Sequence, residues 1–289
     1  MKVLAYGEVL WDIIEGTPYI GGAPFNFAAH VVKNKGTASI LSAVGKDDLG
    51  VKAITEAERL GVQTDLIQVR SDRSTGTVEV FLKDGQPDYT IHEDVAFDAI
   101  FPENLSKIKE ENFDIFYFGS LAQRERASRE TLEKILDEVS FPEIFYDINI
   151  RKSYYSPSII RSSLKKATIF KINDQESQLV SRLFYGSESD FEVFARRISE
   201  DFDVKVVIIT AAERGCYLFT AEGFHHIPAT PVTVADAVGA GDAFSAAFIM
   251  QMLSGADYIT AARRANAVGA FVASQSGAIP EYRAEDLIK

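Results

Sequence analysis

The chain is predicted to be an α/β protein: a three-layer α/β/α domain with a mostly parallel sheet, helices on both faces and a small β lid at one end. Three observations predict this. Short apolar strand candidates alternate with helical stretches along most of the sequence. Val204 to Thr210 is a β-branched run of the kind a strand buried on both faces requires. Two extended segments, at about 13–20 and 75–98, fall outside the alternation and supply the lid. With 289 residues, 46% of them hydrophobic, the chain can bury one large core, so residues 1–289 are read as a single domain.

Lys2 to Tyr6 is the first strand. Ala23 to Lys33 is a helix ended by Gly36, with Pro24 suited to its first turn. Thr37 to Val44 is a strand, and Asp48 to Leu60 a helix closed by Gly61. Residues 75–92 read as a hairpin: Val78, Val80 and Leu82 alternate, Lys83-Asp84-Gly85-Gln86 turns, and Tyr89 and Ile91 return. Phe81 and the other apolar positions there need a cover, either the domain itself or the lid of a second copy in a homodimer. Phe113 to Phe118 is a buried strand, followed by an Arg/Glu-rich helix through about Glu138. Ile144 to Asp147 and Thr168 to Ile172 are strands with a helix between them, and further helices run through about Glu200. Residues 214–228 turn at Ala221-Glu222-Gly223 and form an antiparallel sheet edge.

The formal net charge of −12 argues against nonspecific binding to nucleic acid or anionic membrane, so any phosphate site must be built locally. Cys216 is the only cysteine, which excludes an intrachain disulfide and a cysteine metal cluster; its strand-like setting suggests an inert thiol. The apolar run after Lys2 is broken at Glu8 and Asp12, unlike a signal peptide, and no apolar stretch approaches bilayer length. A cytoplasmic setting is the expectation.

The most informative stretch is Asp236-Ala237-Val238-Gly239-Ala240-Gly241-Asp242-Ala243-Phe244. Phe244, Phe248 and Met252 recur every four residues, so a helix starts at about Gly239 to Gly241. Its first amides carry nothing larger than a methyl group, and unpaired amides at a helix start attract anions. Asp242 adds a carboxylate to the same turn. An anion hole beside a base suits phosphoryl transfer to a hydroxyl. An Asp in a first turn also serves the helix dipole, so the motif alone does not decide. The G-x-G-x-x-G fingerprint fails, because Phe244 takes the third glycine position. A Walker A loop is absent.

Four further clusters sit at predicted strand ends or helix starts. In Gly21-Gly22-Ala23-Pro24-Phe25-Asn26, glycines allow close approach of a ligand and Asn26 can donate and accept. Upstream, Asp12 beside Trp11 could grip a sugar through two hydroxyls. After one strand, Asp147, Asn149 and Arg151 could all face a crevice at period two. After the next, Asn173 and Glu176 share a face, as in ligand binding or in a capping box. Thr210 to Gly215 follows the β-branched strand.

Taken together, these segments resemble the ribokinase-like (PfkB) carbohydrate kinase family, fructokinase type, over nearly the whole chain. Gly21 to Asn26 resembles the N-terminal signature GGAPxN, and Asp236 to Phe244 the C-terminal signature DTxGAGDxF. Tyr146 to Arg151 resembles DPNxR, Phe118-Gly119-Ser120 the FGS turn, and Asn173 to Glu176 NxxE. The resemblance implies ATP-dependent phosphorylation of a sugar's primary hydroxyl, with D-fructose the expected acceptor. Alternatives are 2-keto-3-deoxygluconate, ribose or a nucleoside, or a non-catalytic sugar-binding regulator on the same fold.

The resemblance also implies roles. Asp242 would be the base, the amides of Ala240, Gly241 and Asp242 would form the anion hole, and Gly239 would belong to the same catalytic segment. Asp12, Gly22 and Asn26 would hold sugar hydroxyls, and Arg151 would neutralise phosphate or sugar charge. Asn173 and Glu176 would organise the triphosphate and Mg²⁺ through water. Thr210 and Gly215 would lie under the triphosphate, and Asn266 and Gly277 near the base. K⁺ would sit at the backbone of Asp236 and Val238. Ala237, Ala212 and Ile148 depart from the usual threonine, glycine and proline of these motifs.

Overall fold

A computed structural model describes residues 1–83 and 86–287, and the side chains of 81–83 and 86–88 are left aside. Asp84 and Gly85 of the expected turn, and the Phe81 side chain, lie outside what is described. In chain order the elements begin with β1 (Lys2–Tyr6), β2 (Leu10–Ile14), β3 (Thr17–Gly21), α1 (Ala23–Lys33), β4 (Thr37–Gly45) and α2 (Asp48–Arg59). There follow β5 (Ile67–Arg70), β6 (Gly76–Lys83), β7 (Gln86–Ile91), α3 (Leu105–Glu110), β8 (Ile115–Phe118), α4 (Arg126–Glu138) and β9 (Glu143–Asp147). The rest are α5 (Pro157–Leu164), β10 (Ile169–Asn173), α6 (Asp174–Tyr185), α7 (Phe191–Phe202), β11 (Val206–Thr210), β12 (Cys216–Thr220), β13 (Gly223–Ile227), α8 (Ala240–Leu253), α9 (Tyr258–Ala273) and α10 (Ala284–Leu287).

Nine strands form the main sheet in the order β13-β12-β11-β10-β9-β8-β1-β4-β5. The seven strands from β11 to β5 pair parallel, and β12 and β13 close one edge antiparallel. Strand alternation splits the core in two. Val3, Ala5, Val206 and Ile208 face one buried cluster, while Leu4, Tyr6, Val207 and Ile209 face the other. This is why the central strands read as unbroken apolar runs. Helices α1, α8 and α9 cover the first face, and residues of α4, α5 and α7 fill the second cluster. Asp242 through Met250 of α8 are all buried, since this helix packs against α1 and α9 as well as the sheet.

Order along the sheet reverses between β1 and β8: the chain proceeds to β4 and β5 on one side and to β9, β10 and β11 on the other. Ligands of open α/β sheets bind beyond the strand carboxyl ends at such a reversal. A second sheet, β3-β2-β6-β7, starts after a three-residue connection from the carboxyl end of β1 and is joined by parallel pairing of β2 with β6. Its strands span 10–21 and 76–91, so it begins earlier than residue 13. Val95 to Asp98, expected in the lid, are buried instead. There the Arg124 guanidinium donates to both oxygens of Asp98, at 2.7 and 2.8 Å, and clamps the returning chain to the main domain. None of the helices among the described residues is long and apolar enough to cross a membrane.

Candidate active site

The site is built around the start of α8. Gly239 is the cap residue, with φ of 78°; a Cβ there would lie 2.4 Å from the Ala278 carbonyl oxygen, so the position needs glycine on two counts. The Ala240 amide donates to the Ala237 oxygen at 3.3 Å, and the Ala243 amide donates back to Gly239 at 2.9 Å. The amides of Gly241 and Asp242 stand between them, in the first turn, where helix geometry provides no internal acceptor. Of the three amides expected in the anion hole, Ala240's is thus turned toward its own loop.

Asp242 is buried, and Asn26 Nδ2 donates to its Oδ2 at 2.9 Å across 216 residues of sequence. This bond joins the two glycine-rich signatures. Burial pushes the Asp242 carboxyl up to about 7; the charge of Asp147 adds to that, while the Asn26 bond, Lys171 and Arg151 pull it down. A carboxyl poised there can take a proton at neutral pH.

Around Asn26, carboxyl groups are largely held away from water. Gly22, at φ 108°, precedes α1, and a Cβ on it would lie 2.4 Å from the Glu8 oxygen. Asn26 Oδ1 is buried without a partner. Asp12 is on β2, close to the glycine pair: a Cβ on Gly21 would lie 2.5 Å from its Oδ2. Burial raises the Asp12 carboxyl to about 6, against the pull of Arg151. Glu8, which stood out in the sequence only as a break in an apolar run, is 4% exposed, and its Oε2 has no partner. Burial chiefly, and Asp242's charge, raise it to about 7, against its hydrogen bonds and Arg151. Arg151 itself is exposed, yet its charge reaches Glu8, Asp12 and Asp242.

Asp147 does not face the open crevice with Arg151. The turn after β9, where Asn149 has φ of 41°, separates them. Asp147 is buried at the end of β9, and its Oδ2 accepts from Lys171 Nζ at 2.7 Å and Tyr117 Oη at 3.1 Å. Ser245 Oγ of α8 lies 3.0 Å from the same oxygen and 2.9 Å from the Gly241 carbonyl oxygen; its single proton serves one at a time. Lys171 precedes Asn173 by two residues, and nothing in its local sequence signalled a partner 24 residues away.

Asn173 and Glu176 form a full capping box. Asn173 Oδ1 accepts from the Glu176 amide at 2.8 Å, and Glu176 Oε2 accepts from the Asn173 amide at 2.9 Å. Glu176 Oε1 accepts from the Ile150 amide at 2.6 Å. Both carboxylate oxygens therefore already hold backbone. Desolvation raises this carboxyl's pKa.

A cleft of about 480 Å³ leads away from the start of α8. Thr210, Gly215, Gly241, Phe244, Asn266 and Gly269 contribute to its walls. Gly215 has φ of 85°, and a Cβ on it would strike the Ile227 oxygen at 2.1 Å. Asn266 Nδ2 donates to the Ile227 and Pro228 carbonyls at 3.2 and 3.1 Å, which ties the β13 exit to α9. Gly277 is not among the cleft walls; its amide donates to Asp236 Oδ2 at 3.2 Å, and the Val238 amide donates to Asp236 Oδ1 at 3.0 Å. Asp236 thus laces together the loops before α8 and after α9. No cluster of three or more His, Cys, Asp or Glu able to hold a metal occurs among the described residues. Cys216 lies buried on β12, and burial pushes its thiol up to about 12.

The family model described as pfkB family carbohydrate kinase matches residues 3–284. The chain belongs to this family. Among curated PfkB relatives, a sugar kinase of Pyrococcus horikoshii is 28% identical over 99% of this chain and 94% of its own length. Its crystal structure, of an uncharacterized protein, superposes with a TM-score of 0.86 at 27% identity, covering 99% of this chain and 96% of that one, and it has also been solved with ATP. Aminoimidazole riboside kinase of Salmonella typhimurium is 26% identical over 96% of this chain and 91% of its own. Fructokinase-2 of Oryza sativa is 25% identical over 96% of this chain and 90% of its own. The protein is a carbohydrate kinase of the PfkB type with a ribokinase-like fold, and these relatives differ in their acceptors.

Proposed function

We propose that this kinase phosphorylates the primary hydroxyl of a neutral sugar, with D-fructose the best-supported acceptor and fructose 6-phosphate the product. The observation that carries the reading is the buried Asp242 carboxyl, held 2.9 Å from Asn26 where the glycine-lined cleft meets the acceptor side. The acceptor hydroxyl gives its proton to Asp242 as its oxygen bonds to the γ-phosphorus of ATP, and the bond from phosphorus to the ADP oxygen breaks. The Gly241 and Asp242 amides face the charge that collects on the transferred group. Asp12, Asn26 and Gly22 hold the sugar, and Arg151 offsets local negative charge.

Two buried carboxyls, Glu8 and Asp242, and the half-buried Asp12, with one nearby arginine, suit a neutral polyol better than an acid or phosphorylated sugar. Several fructokinases among the relatives support the same choice. The capping box suits Mg²⁺ only through water: Glu176 would orient the hydrated ion, which would supply positive charge toward the phosphates. Ile14 and Tyr19, exposed on the second sheet, support a lid that pairs with another lid in a dimer, which light scattering tests.

The deciding experiment is a substrate panel of fructose, ribose, 2-keto-3-deoxygluconate and aminoimidazole riboside, read by coupled ADP release. Fructose is expected to give the highest kcat/KM. Turnover on the acid sugar alone would refute the neutral-sugar assignment.

A further inference from the structure

The Lys171–Asp147 pair lies beneath the reaction centre, and no function assigned above uses it. Ion pairs at this depth are uncommon: the side chains are 8% and 3% exposed. Removing both charges from water is unfavourable unless geometry and further hydrogen bonds compensate, and a hydrophobic pair would often serve stability as well. The compensation is visible. Three donors on three different elements, Lys171 on β10, Tyr117 on β8 and Ser245 on α8, converge on the Asp147 Oδ2 atom. Ser245 also reaches the Gly241 oxygen, so the pair is linked to the first turn of α8. From below, the Lys171 ammonium comes so close to that turn that a Cβ on Gly241 would be 3.5 Å from Nζ. Tyr117 stacks on Phe27 of α1 at 3.7 Å, the helix that carries Asn26, so the network borders both signature segments.

We propose that Lys171 and Asp147 act as a positioning pair, a counter-charged base plate that sets the charge state of Asp242 and keeps the first turn of α8 ready for an anion. The pair need not touch substrate. Lys171 favours the ionised Asp242 and Asp147 opposes it, so together they hold the base near the point where it can both accept and release a proton. The other groups that act on Asp242 are Asn26 from α1, Arg151 from the loop after β9, Glu8 from the loop after β1, and the Tyr117 hydroxyl from β8. The inference rests on Asp242 being the base, and its test is chosen to be separable from that reading.

The test is titration of the Asp242 carboxyl in the substrate-free protein by ¹³C NMR with carboxyl-labelled aspartate, the signal being assigned by its loss in Asp242→Asn. Lys171→Met is expected to move the Asp242 midpoint up by about 1 pH unit, and Asp147→Asn to move it down by about as much, the size a neighbouring charge produces. The double variant returns close to wild type. The acid limb of kcat measured with ATP, Mg²⁺ and D-fructose should follow the same order. A purely structural pair would reduce melting temperature and rate in both variants without shifts of opposite sign, and that outcome overturns the proposal. If Lys171→Met does not fold, Lys171→Arg, which keeps the charge, should hold the wild-type midpoint while Asp147→Asn still lowers it; a fixed midpoint in Asp147→Asn overturns the proposal. Because the NMR readout needs no turnover, inactivity toward fructose would sink the substrate reading and leave this result standing on its own.

Discussion

The two sides of the active site are made from different materials. The cleft at the start of α8, which we read as the nucleotide side, is walled mainly by glycine, alanine and valine with Pro231 and Phe244, and Thr210, Glu213, Thr230 and Asn266 are its polar exceptions. The side we read as the acceptor side brings together the buried Glu8, Asn26 and Asp242 and the half-buried Asp12, under the reach of Arg151. Backbone amides and small residues can bind any triphosphate, because every peptide carries the same donor. Buried side-chain charge is costly to place and is specific to what it faces. On the reading proposed above, this difference is what lets relatives with different acceptors share the fold, and acceptor identity is to be sought around Asn26 and Asp12.

The largest test of this contrast is Asp242→Asn, which is expected to lower kcat by roughly 10²-fold or more while sugar affinity by calorimetry stays near wild type, the scale of lost general-base catalysis. Turnover close to wild type would remove Asp242 from the chemistry. Next in size is Asn26→Ala, expected to lower kcat by about 10-fold through loss of the bond that orients the base. It should also move the acid limb of the rate profile upward, since that bond favours the ionised carboxylate. ATP KM should barely change; a selective rise there would break the division of labour.

On the other side, Asn266→Ala unpins the carbonyls of Ile227 and Pro228 and is expected to cost about 1–2 kcal/mol of stability. It should raise ATP KM a few-fold and leave sugar KM alone, as steady-state kinetics would show. The smallest effect concerns the cost of the buried base. The folded Asp242 value, about 7, lies above its ordinary 3.8, so the native state holds this proton more tightly than the unfolded chain. Wild-type stability from this group is full below about pH 4 and falls as pH rises to about 7. Asp242→Asn, which escapes the penalty, should therefore melt a few degrees higher than wild type at pH 8 and with little difference at pH 4. An equal offset at both values would show that the carboxyl is not strained by burial.

Strand and helix positions were largely legible in the sequence because burial on both faces writes itself as apolar runs, and glycine and proline mark the ends. Ala23–Lys33 and Val206–Thr210 show this well. The second sheet was legible as a break in rhythm, but its boundary was not: Val95 to Asp98 look like hairpin flank until Arg124 is seen to clamp them. The two signatures were readable as glycine-rich turns beside polar side chains, since an open approach to backbone demands small residues.

By itself, then, the sequence determined the alternation, a helix start within Gly239 to Gly241 and the presence of a carboxylate in that turn, all consequences of local sterics and periodicity. Only the tertiary structure decided which charges share an environment. Asn26 meets Asp242 across 216 residues, Lys171 meets Asp147 across 24, and Glu8 becomes a buried carboxyl rather than a break in a strand. The reason is physical: desolvation and Coulomb interaction depend on distance through space and on exclusion of water, and neither quantity is defined until the sheet has brought the strand ends together.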